Sequence, residues 1–168
     1  MKTGNNSSQY SILSQLFHNT SSWIGHYIND TALREAGQVF QCPENAQLER
    51  IEVFSELVQQ PGNVQMKIYR FDEANQQWGS LLGSASLLVK RDDTLRWVGF
   101  NIVPLSLQKG ENYGFILRSD DAFVALGEAA WPTHTEHHCG KEWTGINYGD
   151  QGQFYDHFSL AYKIDLVS

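Results

Sequence analysis

The 168-residue sequence predicts an all-β fold, two antiparallel sheets packed face to face as a jelly-roll-like sandwich, and three observations carry that prediction. Apolar and polar residues alternate with period two over several short runs, the pattern of strands buried on one face only. Gly, Pro, Asn and Asp turns separate the runs, with no helical pattern between them to serve as a crossover, which argues against parallel βαβ units. Charged residues make up only 18% of the chain and aromatic residues 12%, with five Trp, seven Tyr and nine Phe, so large side chains are plentiful and charged helices are not. A chain of this length suits one core, and residues 1–168 are expected to form a single domain.

Taken in order, residues 1–20 form an N-terminal extension in which the spacing of Tyr10, Leu13, Leu16 and Phe17 predicts a short helix. Trp23 to Ile28 is apolar-rich and predicts an edge strand, followed by a connection over 30–37 and a strand at Gln38 to Cys42. Leu48, Ile51, Val53, Phe54 and Leu57 mark the next apolar run, closed by the turn Pro61-Gly62-Asn63. Val64, Met66 and Ile68 then alternate with Gln65, Lys67 and Tyr69. The polar link from Asp72 to Gly79 leads into Leu81 to Val89, so the two segments are expected to pair as a hairpin with a long loop. Trp97 to Val103 turns Val98, Phe100 and Ile102 to one face, and Pro104 is expected to end its ladder. Lys109-Gly110-Glu111-Asn112 turns the chain into Tyr113 to Ser119, Phe123 to Gly127 makes a short strand, and Phe158 to Leu166 alternates cleanly to the end. Between the last two, residues 128–156 read as one long irregular loop, either functional or folded over the open end of the core.

The net charge of −7 and pI near 5.2 argue against nucleic acid or an anionic membrane as partner, since both need a basic surface. No run approaches the roughly 18 apolar residues of a membrane helix, so no membrane insertion is expected. The first residues lack the apolar core of a secretory signal, which predicts a cytoplasmic protein unless the chain is one domain of a longer exported protein. Two cysteines, Cys42 and Cys139, do not make a disulfide scaffold. Cys42 lies in the apolar run Val39-Phe40-Gln41-Cys42, where a buried thiol is expected, with a bridge to Cys139 as the alternative.

The runs Gln38-Val39-Phe40, Leu48 to Val53, Val64 to Tyr69 and Leu105 to Phe115, with its Lys-Gly-Glu-Asn-Tyr turn, and the closing strand follow one another in a recognisable order. Together they resemble a bacterial jelly-roll or galactose-binding-like sandwich module, of the kind attached to secreted or surface proteins; a likeness to the eukaryotic PHR-type sandwich is weaker. The resemblance implies recognition of a carbohydrate or a protein through loops and transfers no binding residue.

Two constellations can carry chemistry. In His134-Thr135-Glu136-His137-His138-Cys139, the donors His134, His137 and Cys139 would suit zinc, although no established zinc spacing is present and a solvated capping loop explains the cluster as well. In the second, Trp131, Trp143, Tyr148, Phe154 and Tyr155 are interleaved with Asn147, Asp150, Gln151, Gln153 and Asp156. Aromatic faces beside amides and carboxylates suit a sugar, or a plug at the end of the sandwich. Trp131, Trp143, Tyr148, Asp150 and Tyr155 are the candidate ligand contacts. No nucleophile elbow, phosphate loop or dinucleotide fingerprint occurs, no catalytic residue is assigned, and no cofactor is expected. Asp92-Asp93 and Asp120-Asp121 fall at turns. The sequence thus predicts a non-catalytic binding module with a glycan or protein ligand, with a structural or oligomerisation domain and a metal-dependent enzyme using the His/Cys cluster as alternatives.

Overall fold

The computed structural model describes residues 8–132, 140–147 and 152–168. These residues are all-β, with thirteen strands, one 3-10 turn at Arg91–Asp93 and no α-helix among them. In chain order the strands are β1 (Tyr10–Gln15), β2 (Thr20–His26), β3 (Leu33–Gln41), β4 (Ala46–Gln60), β5 (Gly62–Asp72), β6 (Gln77–Val89) and β7 (Arg96–Leu107). They continue as β8 (Asn112–Arg118), β9 (Phe123–Ala130), β10 (Glu142–Ile146), β11 (Gly152–Tyr155), β12 (Phe158–Leu160) and β13 (Tyr162–Val167).

Every pairing is antiparallel, and all strands join one sheet that curls on itself. One part runs β6-β5-β8-β3-β10-β11 and another β1-β13-β4-β7. The pairs β4–β9, β9–β2 and β2–β3 connect them.

The expected hairpin of β5 and β6 is present, and its alternation holds: Val64, Met66 and Ile68 are fully buried while Gln65, Lys67 and Tyr69 face outward. Leu48, Ile51 and Val53 of β4 do not keep strict period two because a bulge at Glu49 interrupts the pairing with β13, resetting the phase so that Leu48 and Ile51 both face the core. The core is filled by Phe40, Phe100, Tyr113, Phe115 and Tyr162, each burial contributing roughly 1.5–3 kcal/mol before chain entropy is counted.

Five expectations need correction. The N-terminal helix is absent: Tyr10–Gln15 is β1, paired along its whole length with β13. A helix that short is marginal alone, whereas the edge of β13 offers the segment a full ladder and a place for Leu13 against the core. The segment near Trp23 is no edge strand but lies between β9 and β3. Residues 128–156 are not one irregular loop, because β9 runs to Ala130 and β10 and β11 form a hairpin that adds to β3; Gly145 and Gly152 hide its apolar alternation. β7 continues through Pro104, at a position where a register shift against β4 leaves no ladder bond for the missing N–H to make. The closing strand also breaks at Ala161, where the chain passes from β9 to β4.

Cys42 is a buried free thiol, donating to the Glu44 carbonyl at 3.0 Å, and burial pushes its pKa up. Gln38 is a buried polar residue on the inner face of β3. Its Oε1 accepts from the Leu160 N–H at 2.9 Å and from the Ser159 hydroxyl at 3.4 Å, and its Nε2 donates to the Val39 carbonyl at 3.1 Å. Gln38→Leu leaves the buried Leu160 N–H unpaired, so urea denaturation should give a stability about 2 kcal/mol lower than wild type.

Candidate functional site

The outer face of the β6-β5-β8-β3-β10-β11 part is built by strand register. Because Val64, Met66 and Ile68 take the core side, Gln65, Lys67 and Tyr69 stand outward. Lys67 is opposite Ser84 on one side and Ile116 on the other, and Ile116 is in turn opposite Gly37, then Trp143, then Phe154. The adjacent row carries Ser86, Gln65 and Arg118, with Glu35 on the same face of β3. Tyr69 faces Gly114.

Glycines in this face make room for two indoles. A Cβ on Gly114 would come within 2.5 Å of the Trp78 ring, and one on Gly152 or Gly145 would come within 2.0 Å or 2.3 Å of the Trp143 ring. The rings therefore pack directly against bare backbone. Trp78 and Trp143 meet edge to face at 6.0 Å, Phe154 lies 5.8 Å from Trp78, and Phe71 and Tyr69 pack against Trp78 at 5.5 and 5.8 Å. Gly152→Ala puts a methyl group where the indole now sits; we expect the Trp143 ring to be displaced, seen as changed near-ultraviolet dichroism, with a stability loss of about 1–3 kcal/mol.

Around these rings opens a cleft of about 660 Å³, whose lining combines Trp78, Trp143, Phe154, Tyr69 and Ile116 with Glu35, Asn75, Gln76, Gln77 and Arg118. Its rim is the β5–β6 turn, held by Asp72, which accepts from the Asn75 N–H at 3.1 Å and the Asn75 side-chain amide at 2.8 Å; the second contact is the leading cause of its lowered pKa. Lys141 ties that turn to the opposite side, donating to Gln76 Oε1 at 2.7 Å and lying 3.6 Å from both Glu73 and Asp156. The Tyr69 phenol is raised, mainly by burial, and so keeps its proton and can donate at neutral pH. The Trp78 Nε1–H is buried with no hydrogen-bond partner among the described residues.

Beneath the cleft, on the core side of β10, lies a fully buried carboxyl, Glu142. Burial, then the neighbouring Glu128, raises its pKa to about 10, while Ser22 lowers it. It is therefore protonated at neutral pH.

Of the residues singled out in the sequence, Trp143 lines the floor of the cleft but is itself buried, only 5% exposed, and the half-buried Phe154 lines the cleft beside it. Trp131 and Tyr155 do not line it. The half-buried Trp131 ring lies 6.4 Å from Phe17, and the Tyr155 hydroxyl donates to Gln153 Oε1 at 2.7 Å while its ring packs on His157 and Phe158. Tyr148, Asp150, His134, His137 and Cys139 lie outside the described residues, and no other group of three metal-binding side chains occurs among those described. Sequence reasoning passed over Trp78, Tyr69, Glu35 and Arg118. The available signal was Gln76-Gln77-Trp78-Gly79, a large aromatic ending a polar turn.

No family model and no curated protein matches the sequence. Among solved structures, a clostridial cysteine protease, Cwp84, after propeptide cleavage is similar at 12% identity with a TM-score of 0.56, over 98% of this chain and 41% of that one. A second structure, of the cysteine protease and lectin-like domains of Cwp84, a surface layer associated protein of Clostridium difficile, aligns at 11% identity and a TM-score of 0.49 over 98% of this chain and 37% of that one. The chain thus spans about two fifths of the proteins it resembles, and the likeness is one of fold.

Proposed function

We propose that this domain is a non-catalytic binding module that holds a glycan in the cleft between Trp78, Trp143 and Phe154. The observation that carries the reading is the lining itself: aromatic rings laid on a glycine floor and ringed by Gln and Asn amides. The apolar face of a pyranose stacks on the half-buried Trp78 and Phe154 rings, and its hydroxyls exchange hydrogen bonds with the amides and the Tyr69 phenol. The cleft volume falls within the usual range for small-ligand sites. Glycoside hydrolysis ordinarily needs two carboxyl groups flanking the bond, and Glu35 is the one carboxylate among the described lining residues, which favours binding over cleavage. Cwp84 contains a lectin-like domain alongside its protease, and the shared fold is compatible with a binding module here. We read the scaffold as a jelly-roll-like sandwich whose layers are joined by β2 and β9, supported by the single core enclosed between its two parts.

A second reading, a protein-interaction domain, draws on the β1 edge, where Tyr10, Ile12, Leu16 and Phe17 are all more than half exposed. A glycan-array screen separates the two. Retention of one group of related oligosaccharides, lost on Trp78→Ala, supports the cleft; an empty array together with concentration-dependent self-association supports the edge.

A further inference from the structure

We propose that the glycan is acidic, with one carboxylate or phosphate per few sugars, and that this group is seated by Lys67 and Arg118 in a hollow next to the aromatic cleft. The inference rests on the glycan reading of the cleft and adds the chemical class of the ligand.

The hollow, about 270 Å³, is lined by Gln65, Lys67, Ser84, Ala85, Ser86 and Arg118. Arg118 also lines the aromatic cleft, so the two depressions share a wall on the outer face of β5 and β8. In a chain of net charge −7, this hollow combines two cations with two hydroxyls and an amide, and no carboxylate is among the described residues that line it. Lys67 makes no ion pair with any described residue, unlike Lys141, which is held near Glu73 and Asp156. Arg118 is oriented by Gln65, whose Oε1 accepts from Nε at 3.3 Å. Register places these groups together: Lys67 is opposite Ser84, and Gln65 lies between Ser86 and Arg118. An ammonium and a guanidinium flanked by hydroxyls are the donors a carboxylate or phosphate oxygen needs, and such charge-assisted contacts are about twice as strong as neutral ones. The surrounding negative charge sets the density: a polymer carrying an acid on every unit would be repelled by the rest of the chain, while an isolated acid group meets Lys67 and Arg118 at short range, with Glu35 on the next strand as the neighbouring carboxylate.

The test is calorimetric titration of the full chain with gluco-, galacto- and xylo-oligosaccharides, each in three forms: neutral, with one uronic acid, and with one phosphate. For at least one backbone, an acidic form should bind about tenfold tighter than its neutral parent. Lys67→Gln, a half-exposed position without an ion pair, should erase that advantage and leave the neutral affinity unchanged, while Trp78→Ala should weaken both. The uronic and phosphate arms identify which acid fits. Equal binding of neutral and acidic forms, or an advantage that survives Lys67→Gln, would overturn the acidic ligand while leaving the glycan reading intact. Failure of every member to bind the wild-type chain would overturn both.

Discussion

Trp78→Ala should weaken binding of any oligosaccharide retained by the domain by at least about thirtyfold, a loss typical of a tryptophan at the centre of a binding site. The expected size comes from the position of the ring. Trp78 touches Tyr69, Phe71, Trp143 and Phe154, so its removal takes away one stacking face and the ring that holds Trp143 edge-on. A stability cost of about 2–3 kcal/mol should accompany the change, since the indole is partly buried. Trp78→Phe separates the effects: it keeps most of the packing but offers a smaller stacking face, so it should recover most of the stability and only part of the affinity. Affinity unaffected by either change, measured on folded protein, would remove the cleft from the account.

Glu142→Gln should abolish a decline in stability with rising pH. The sign follows from the raised pKa. Below about pH 4.5 the carboxyl is protonated in the folded and unfolded chains alike, and the group contributes no pH dependence. Between that pH and about 10 the unfolded chain ionises Glu142 while the folded chain keeps the proton, so folding takes up a proton and stability falls with pH. The slope is about 1.4 kcal/mol per pH unit, which amounts to roughly 3 kcal/mol by pH 7. Gln is close in shape to a protonated Glu and cannot ionise. Urea unfolding of wild type and Glu142→Gln from pH 5 to pH 8 should give curves that diverge, the variant gaining as pH rises; parallel curves would place the proton elsewhere.

The strands were legible because their burial repeats with period two, as at Val64, Met66 and Ile68 or at Tyr162, Ile164 and Leu166. β1 was misread because Tyr10, Leu13 and Leu16 fit a helical face equally well, and the deciding factor, the unpaired edge of β13, lies at the far end of the chain. The β10–β11 hairpin escaped notice because two of its outward positions, Gly145 and Gly152, are glycines against the Trp143 ring, which breaks the apolar alternation between Trp143 and Phe154. The candidate site was half legible for a related reason. Trp143 and Phe154 lie in one aromatic-rich stretch, but their partner Trp78 ends a hairpin turn far from them in sequence and is brought alongside by the pairings β5–β8, β8–β3 and β3–β10. Glu142 was invisible as a buried acid, since a Glu beside a Trp in a polar segment gives no local sign that the strand turns it inward.

The five tryptophans occupy different parts of the molecule, which makes their indole N–H signals a map of the binding surface. Trp78 and Trp143 are in the cleft, Trp23 stacks on Phe123, Trp97 lies under Lys163 and Trp131 lies near Phe17. Nitrogen-15 correlation spectra recorded while titrating the tightest-binding oligosaccharide should move the Trp78 and Trp143 signals and leave those of Trp23, Trp97 and Trp131 in place. Saturable binding that instead moves Trp131, Trp23 or Trp97 and spares the cleft pair would contradict the assignment of the site.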